Sequence, residues 1–170
     1  MGLKSVLVKI LIKILNAWSV FYWRIIYGGF RCRYSVSPDF RFNGRGILLY
    51  GDGEIFIARN SYISDYSMLQ SSKGHFIRIG EGCQISSNVR IFTESSNADC
   101  DFRVKPVPAK LGDVLIGDAC WIGANVLINP GVTIGENSVV GANSVVTRDV
   151  PPGEIWGGVP AKFIRKKSQV

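Results

Sequence analysis

The sequence predicts an all-β domain, a parallel β-helix of hexapeptide repeats, with one amphipathic α-helix ahead of it. Three observations point there. A six-residue period of branched apolar residues runs without a slip from Ile116 to Pro151. Residues 3–27 form a long apolar stretch free of Pro and Gly. The charge is unevenly placed: residues 1–45 hold eight Lys or Arg and one acid, Asp39, whereas residues 46–170 hold twelve of each sign. The net charge of +7 therefore sits in the first quarter of the chain.

The first module, residues 1–45, is expected to be a basic amphipathic helix and its lead-in to the body. At 100° per residue, Lys9, Lys13, Asn16 and Arg24 fall within roughly 80° of one another, and the rest of the surface is mostly Leu, Ile, Val and aromatic. A spanning helix needs about 20 apolar residues. Only ten uncharged residues lie between Lys13 and Arg24, so a helix in the membrane interface fits better than a crossing one. Trp18, Tyr22, Trp23 and Tyr27 suit headgroup depth. The protein is then expected to be cytoplasmic, held peripherally on the inner face of the membrane through residues 3–27. Packing on the body or in an oligomer interface stays open as an alternative. Lys9 and Lys13 break the apolar core that a signal peptide needs. A nucleic-acid arm is rarely so apolar, so nucleic acid is not an expected partner.

The second module, residues 46–167, is the repeat. From Ile116 it reads IGDACW, IGANVL, INPGVT, IGENSV, VGANSV, VTRDVP. The first positions are Ile or Val, and the fifth are Cys, Val or Ser. The same grammar begins at Ile79 (IGEGCQ, ISSNVR, then Ile91), and weaker copies start at Ile57 and Ile63. Such a period suits short strands joined by turns, three to a triangular coil, with coils stacked at roughly 4.8 Å. First and fifth positions point inward, and Gly or Asn at the second is expected to serve turn conformations. Residues 93–113 break the pattern, because Ile91 to Ile116 is 25 residues, one more than four hexapeptides, so a protruding loop is expected.

Composition narrows the class. With 46% hydrophobic and 19% charged residues, the chain is not disordered. Four Cys in 170 residues are too few for a disulfide scaffold. Cys83 and Cys120 fall at inward fifth positions and read as apolar filler. No His/Cys spacing suggests a metal, and there is no P-loop or GxGxxG.

These motifs resemble the hexapeptide-repeat acyltransferases, whose fold is a left-handed parallel β-helix, an exception to the usual right-handed crossover. The run NPGVTIGENSVVGANSVVTRDVPPGEIWGGVPAKFIRK, residues 129–166, is similar to the end of the branch containing galactoside, maltose and xenobiotic O-acetyltransferases. The resemblance spans about residues 46–167 and extends to polysaccharide O-acetyltransferases. It implies a homotrimer with active sites between prisms, acetyl-coenzyme A as co-substrate, a saccharide acceptor and no metal. Matched motif to motif, it places Ala124 beside the pantetheine, Ala142, Thr147 and Arg148 along its path, and Arg165 near the phosphates. Trp121 matches an aromatic beside the acceptor.

The resemblance also exposes a departure. The position of the family's catalytic His is Ser96 here, and His75 is the one His in the chain. Acetyl transfer to a hydroxyl needs a base, an oxyanion site and two held substrates. Glu94, nearest the family's usual position, is the best single candidate base; His75 is the second, set against the reading of a surface-loop histidine; Asp99 and Asp101 share the loop with Glu94. The expected function is acetyl-coenzyme A-dependent O-acetylation of a sugar hydroxyl in surface polysaccharide synthesis. N-acetylation of an amino sugar, which asks less of a base, and a catalytically inactive trimeric scaffold remain as alternatives.

Overall fold

The computed structural model describes residues 3–168; residues 1–2 of the expected first module lie outside the described residues. Three parallel sheets form the faces of a prism. The first face stacks Ser35–Val36, Glu54–Ile57, Phe76–Ile79, Val114–Ile116 and Thr133–Ile134. The second stacks Arg41–Asn43, Tyr62–Ser64, Gln84–Ile85, Trp121–Ile122 and Val139–Val140, then Glu154–Gly158 and an antiparallel final strand, Ala161–Lys166. The third stacks Leu48–Tyr50, Met68–Gln70, Arg90–Phe92, Leu127–Ile128 and Val145–Val146. The chain visits the faces in that order in about five turns, a parallel β-helix.

Register explains the core. Ile57, Ile79, Ile116 and Ile134 stack one above the other, as do Ile63, Ile85, Ile122 and Val140. All are buried. Burying each such side chain contributes about 1.5–3 kcal/mol, and no coil could collect that without its neighbours. Fifth positions are buried too, and their serines are satisfied: Ser61 donates to the Gly80 carbonyl at 2.8 Å and accepts from the Cys83 amide at 2.8 Å.

The turn chemistry differs from the expectation. Second-position glycines are not the left-handed residues; fourth positions are. Asn60, Asn88, Asn125, Asn137 and Asn143 hold φ between 55° and 59°, and Ala119 and Tyr66 are forced to the same values. The second-position glycines answer to crowding instead. A Cβ on Gly117 would lie 2.6 Å from the Glu136 amide nitrogen, and one on Gly123 would lie 2.5 Å from that of Ala142. They let one coil settle on the next.

The first coil starts at Ser35, ahead of the expected boundary at 46, and the helix α1 runs Leu3–Arg33, past the expected end at 27. Gly28 and Gly29 do not stop it, because its last turns are held by packing. Trp23, Ile26, Tyr27 and Phe30 recur at helical spacing and cover the open end of the prism. Tyr27 stacks on Phe42 with centroids 4.4 Å apart and donates to the Gly44 carbonyl at 2.9 Å. Arg31 donates to the carbonyls of Ser37 and Phe40. This cap keeps the terminal hydrophobic layer from water.

The rest of α1 stands away from the prism. Leu7, Leu11, Ile14, Trp18, Phe21 and Ile25 lie along one stripe and are all exposed. At 1.5 Å per residue the helix is about 46 Å long. Residues 5–33 contain an 18-residue window of mean hydropathy 1.5 and are, by length and composition only, apolar enough to cross a bilayer.

Candidate active site

The repeat breaks mainly where the chain passes from the third face to the first. Leu69 and Ile79 are first positions ten residues apart instead of six, and Ile91 and Ile116 are 25 apart. Both insertions emerge at the same vertex, one coil above the other. The lower holds residues 71–75, ending on His75. The upper is residues 93–113, which leave the coil as a hairpin of Glu94–Ser96 against Ala109–Leu111.

Stacking joins the two insertions. Asp113 precedes the strand Val114–Ile116, which pairs with Phe76–Ile79, so Asp113 sits over His75 and Phe76. Asp113 Oδ1 lies 2.9 Å from His75 Nδ1 and accepts the Phe76 amide at 3.1 Å. An ionised carboxylate only accepts, so Nδ1 carries the hydrogen and the free lone pair falls on Nε2. The His75 side chain is 26% exposed, enough for a substrate to reach that edge. A histidine oriented by a carboxylate and open at its other nitrogen can act as a general base.

Glu94 lies at the same vertex but is occupied. It accepts a hydrogen bond from the Ser72 hydroxyl, which in turn accepts from Gln70 Nε2 at 2.8 Å. Thr93 Oγ1 accepts the Ser72 amide at 2.8 Å. Glu94 thus ties the base of the hairpin to the coil below. Ser96 is farther out, paired with Ala109 and exposed. Asp99 accepts nothing from the coil, and Asp101 is held by Arg103 at 3.0 Å, which pulls its carboxyl below the usual range. His75 is the base candidate that the geometry favours.

The other expected residues spread over the upper coils. Ala124 and Ala142 stack at the vertex between second and third faces, where the Asn143 amide donates to the Ala124 carbonyl at 2.8 Å. They are solvent-accessible, small and one coil apart, a track that an extended pantetheine fits. Thr147 and Arg148 are exposed at the His75 vertex, three coils higher. Arg165 is exposed on the final strand. Trp121 stands on the second face, 52% exposed, with Nε1 3.4 Å from Ser86 Oγ. A single prism does not gather these residues round His75.

Sequence reading missed Asp113 and Ser72. The usable signal was register: Ile77 and Val114 are equivalent inward positions, which sets His75 beneath Asp113.

A parallel β-helix built from stacked hexapeptides defines the class of fold to which this chain is compared. Residues 113–148 match the family model described as bacterial transferase hexapeptide (six repeats). Galactoside O-acetyltransferase of Escherichia coli (strain K12) is 38% identical over 117 residues, covering 69% of this chain and 56% of that protein. The putative lipopolysaccharide biosynthesis O-acetyl transferase WbbJ of the same strain is 36% identical over 138 residues, covering 73% of this chain and 67% of that protein. The solved hexapeptide-repeat acetyltransferase VCA0836 from Vibrio cholerae O1 biovar eltor, complexed with acetyl-coenzyme A, superposes with a TM-score of 0.52 at 32% identity, over 73% of this chain and 72% of that one. The chain belongs to the hexapeptide-repeat acetyltransferase family. It spans about half the length of the first curated relatives it matches, 56% of galactoside O-acetyltransferase.

Proposed function

We propose that this chain transfers acetyl from acetyl-coenzyme A to a sugar hydroxyl, with His75 as general base. The observation that carries the reading is the His75–Asp113 pair, 2.9 Å apart at the vertex where the hairpin leaves the coil. The names of the relatives support the reaction class and the donor.

Asp113 holds the imidazole ring and its tautomer. Nε2 takes the proton of the acceptor hydroxyl as the oxygen attacks the acetyl carbonyl. The tetrahedral intermediate collapses, the C–S bond breaks, and the coenzyme thiol leaves with that proton. Ala124 and Ala142 flank the pantetheine, and Thr147 and Arg148 continue its path. Arg165 meets the phosphates. In a homotrimer a neighbouring prism supplies the second wall, with Trp121 against the sugar and Ser96 at the edge of the acceptor cleft.

The acceptor is a sugar of a surface polysaccharide or its lipid-linked precursor, and α1 keeps the enzyme on the cytoplasmic face of the membrane. Placing Lys9 and Lys13 in the bilayer centre would cost about 5 kcal/mol. Lying in the interface avoids that cost and still covers the Leu7–Ile25 stripe.

The test is transfer of radiolabelled acetyl from acetyl-coenzyme A to galactosides, maltose and polysaccharide fragments, with hydroxylamine sensitivity of the product. An ester product that disappears with His75→Ala supports the reading. A hydroxylamine-stable amide replaces it with N-acetylation, and no transfer by a confirmed trimer replaces it with a scaffold.

A further inference from the structure

A cavity of about 610 Å³ lies where α1 meets the first coil, well below the His75 vertex. Its walls are Trp23, Tyr27 and Phe42, and its rim carries Arg24, Arg31 and Arg45. Arg31 is fixed: it donates to two backbone carbonyls and its guanidinium lies 5.4 Å from the Phe42 ring centroid. Among the described residues no carboxylate pairs with it. Among the described residues, Arg24 and Arg45 take part in no ion pair. The acid nearby is Asp65, whose Oδ1 accepts the Arg45 backbone amide at 2.8 Å. Three arginines lining one aromatic-walled hollow leave it with an excess of positive charge.

We infer that this cavity binds the phosphate headgroup of a membrane lipid. Arg is the side chain best matched to phosphate, since its planar fork offers paired N–H donors. The source of the phosphate follows from the helix. The Leu7–Ile25 stripe points away from the prism, and Arg24 lies about 100° round the helix from it. When that stripe is buried in lipid, the arginines come to headgroup depth. A helix that crosses the bilayer puts the junction at the same depth, because Trp23 follows about 20 residues, or about 30 Å, of apolar helix. The hollow therefore selects a lipid with an exposed terminal phosphate over one whose phosphate is masked as a diester.

The inference rests on membrane attachment through α1, and the experiment separates the two. The full chain is floated with three vesicle types: phosphatidylcholine alone, phosphatidylcholine with phosphatidylglycerol, and phosphatidylcholine with phosphatidate, the last two matched in zeta potential. Soluble dihexanoyl phosphatidate and inorganic phosphate are titrated separately against tryptophan fluorescence. Wild type is expected to prefer phosphatidate vesicles over phosphatidylglycerol vesicles. Arg24→Gln/Arg45→Gln is expected to bring the ratio of phosphatidate to phosphatidylglycerol binding to one, while binding to phosphatidylcholine persists. Equal binding of the two anionic vesicles by wild type, or an unchanged preference in the variant, overturns the inference. So does inorganic phosphate matching dihexanoyl phosphatidate in affinity, which marks a free-anion site. Protein that floats with no vesicle yet binds dihexanoyl phosphatidate through Arg24 and Arg45 refutes attachment and supports the headgroup site. A cavity closed by α1 of a second copy would show neither binding, and overturns the inference as well.

Discussion

The proposed mechanism moves the base from the expected position at Ser96 to His75. Ser96, where the resemblance sets the family histidine, lies out on the hairpin. His75 comes up from the coil beneath and finds a carboxylate in Asp113. Removing a general base lowers rate by about 10²–10⁴, so His75→Ala should reduce kcat on a sugar acceptor by that factor with KM little changed. Asp113→Asn leaves the ring in place but removes the charge that stabilises its protonated form. A kcat loss of at least about tenfold is expected. Glu94→Gln keeps an acceptor for Ser72, so steady-state kinetics should resolve it from His75→Ala by a far smaller effect. Equal losses in the two variants would move the base to Glu94.

At the scale of elements, the coil turn and the capping helix each carry a measurable stress. Ala119 holds φ at 55° without the local hydrogen bonding that makes this region tolerable for Asn. Ala119→Asn matches the residue found at the same turn position in neighbouring coils. A stabilisation of about 1 kcal/mol is expected, read as a rise in Tm by calorimetry. Tyr27 anchors α1, and burial is the main cause that raises its phenol pKa, opposed by the hydrogen bond from Ile47. Its stabilising contribution is complete below the ordinary tyrosine value near 10. It is lost as pH rises through the higher folded value, because the unfolded phenol gives up its proton first. The Tm should drop above about pH 10, and Tyr27→Phe should flatten that drop. An identical alkaline profile in the variant would assign the effect to other groups, Tyr34 among them.

Across the whole molecule, the stacked coils make a rod with the α1 cap at its base and the expected coenzyme-binding residues toward the far end. Acetyl-coenzyme A at about 100 times Kd should stabilise the oligomer by roughly 2.7 kcal/mol. Thermal denaturation should therefore shift upward by a few degrees in a sample shown to be trimeric by light scattering. The same titration on a monomeric variant should show little, since one prism does not assemble the expected residues. A full shift in the monomer would place the coenzyme on a single chain. Deleting residues 1–22 leaves the cap residues from Trp23 onward and removes the exposed stripe. The truncated chain should stay folded and move from the membrane to the soluble fraction.

The repeat was legible in the residues because a solenoid makes long-range contacts out of a local rule. Between insertions each inward residue meets the one three hexapeptides on, as Ile116 meets Ile134 and Ile122 meets Val140, so period, faces and core follow from spacing. The first coil escaped that reading because Phe42 to Leu49 is seven residues and the filler is aromatic. The fourth-position turn was also in the letters, as recurring Asn and Gly, but crowding at the second position drew the explanation instead. The His75–Asp113 pair, the Ser72–Glu94 tie and the three-arginine hollow were settled only in three dimensions. Their partners stand 38, 22 and 21 or fewer positions apart across irregular insertions and a helix–coil junction. There no period relates one residue to the next, and contact depends on how the coils and the cap come together.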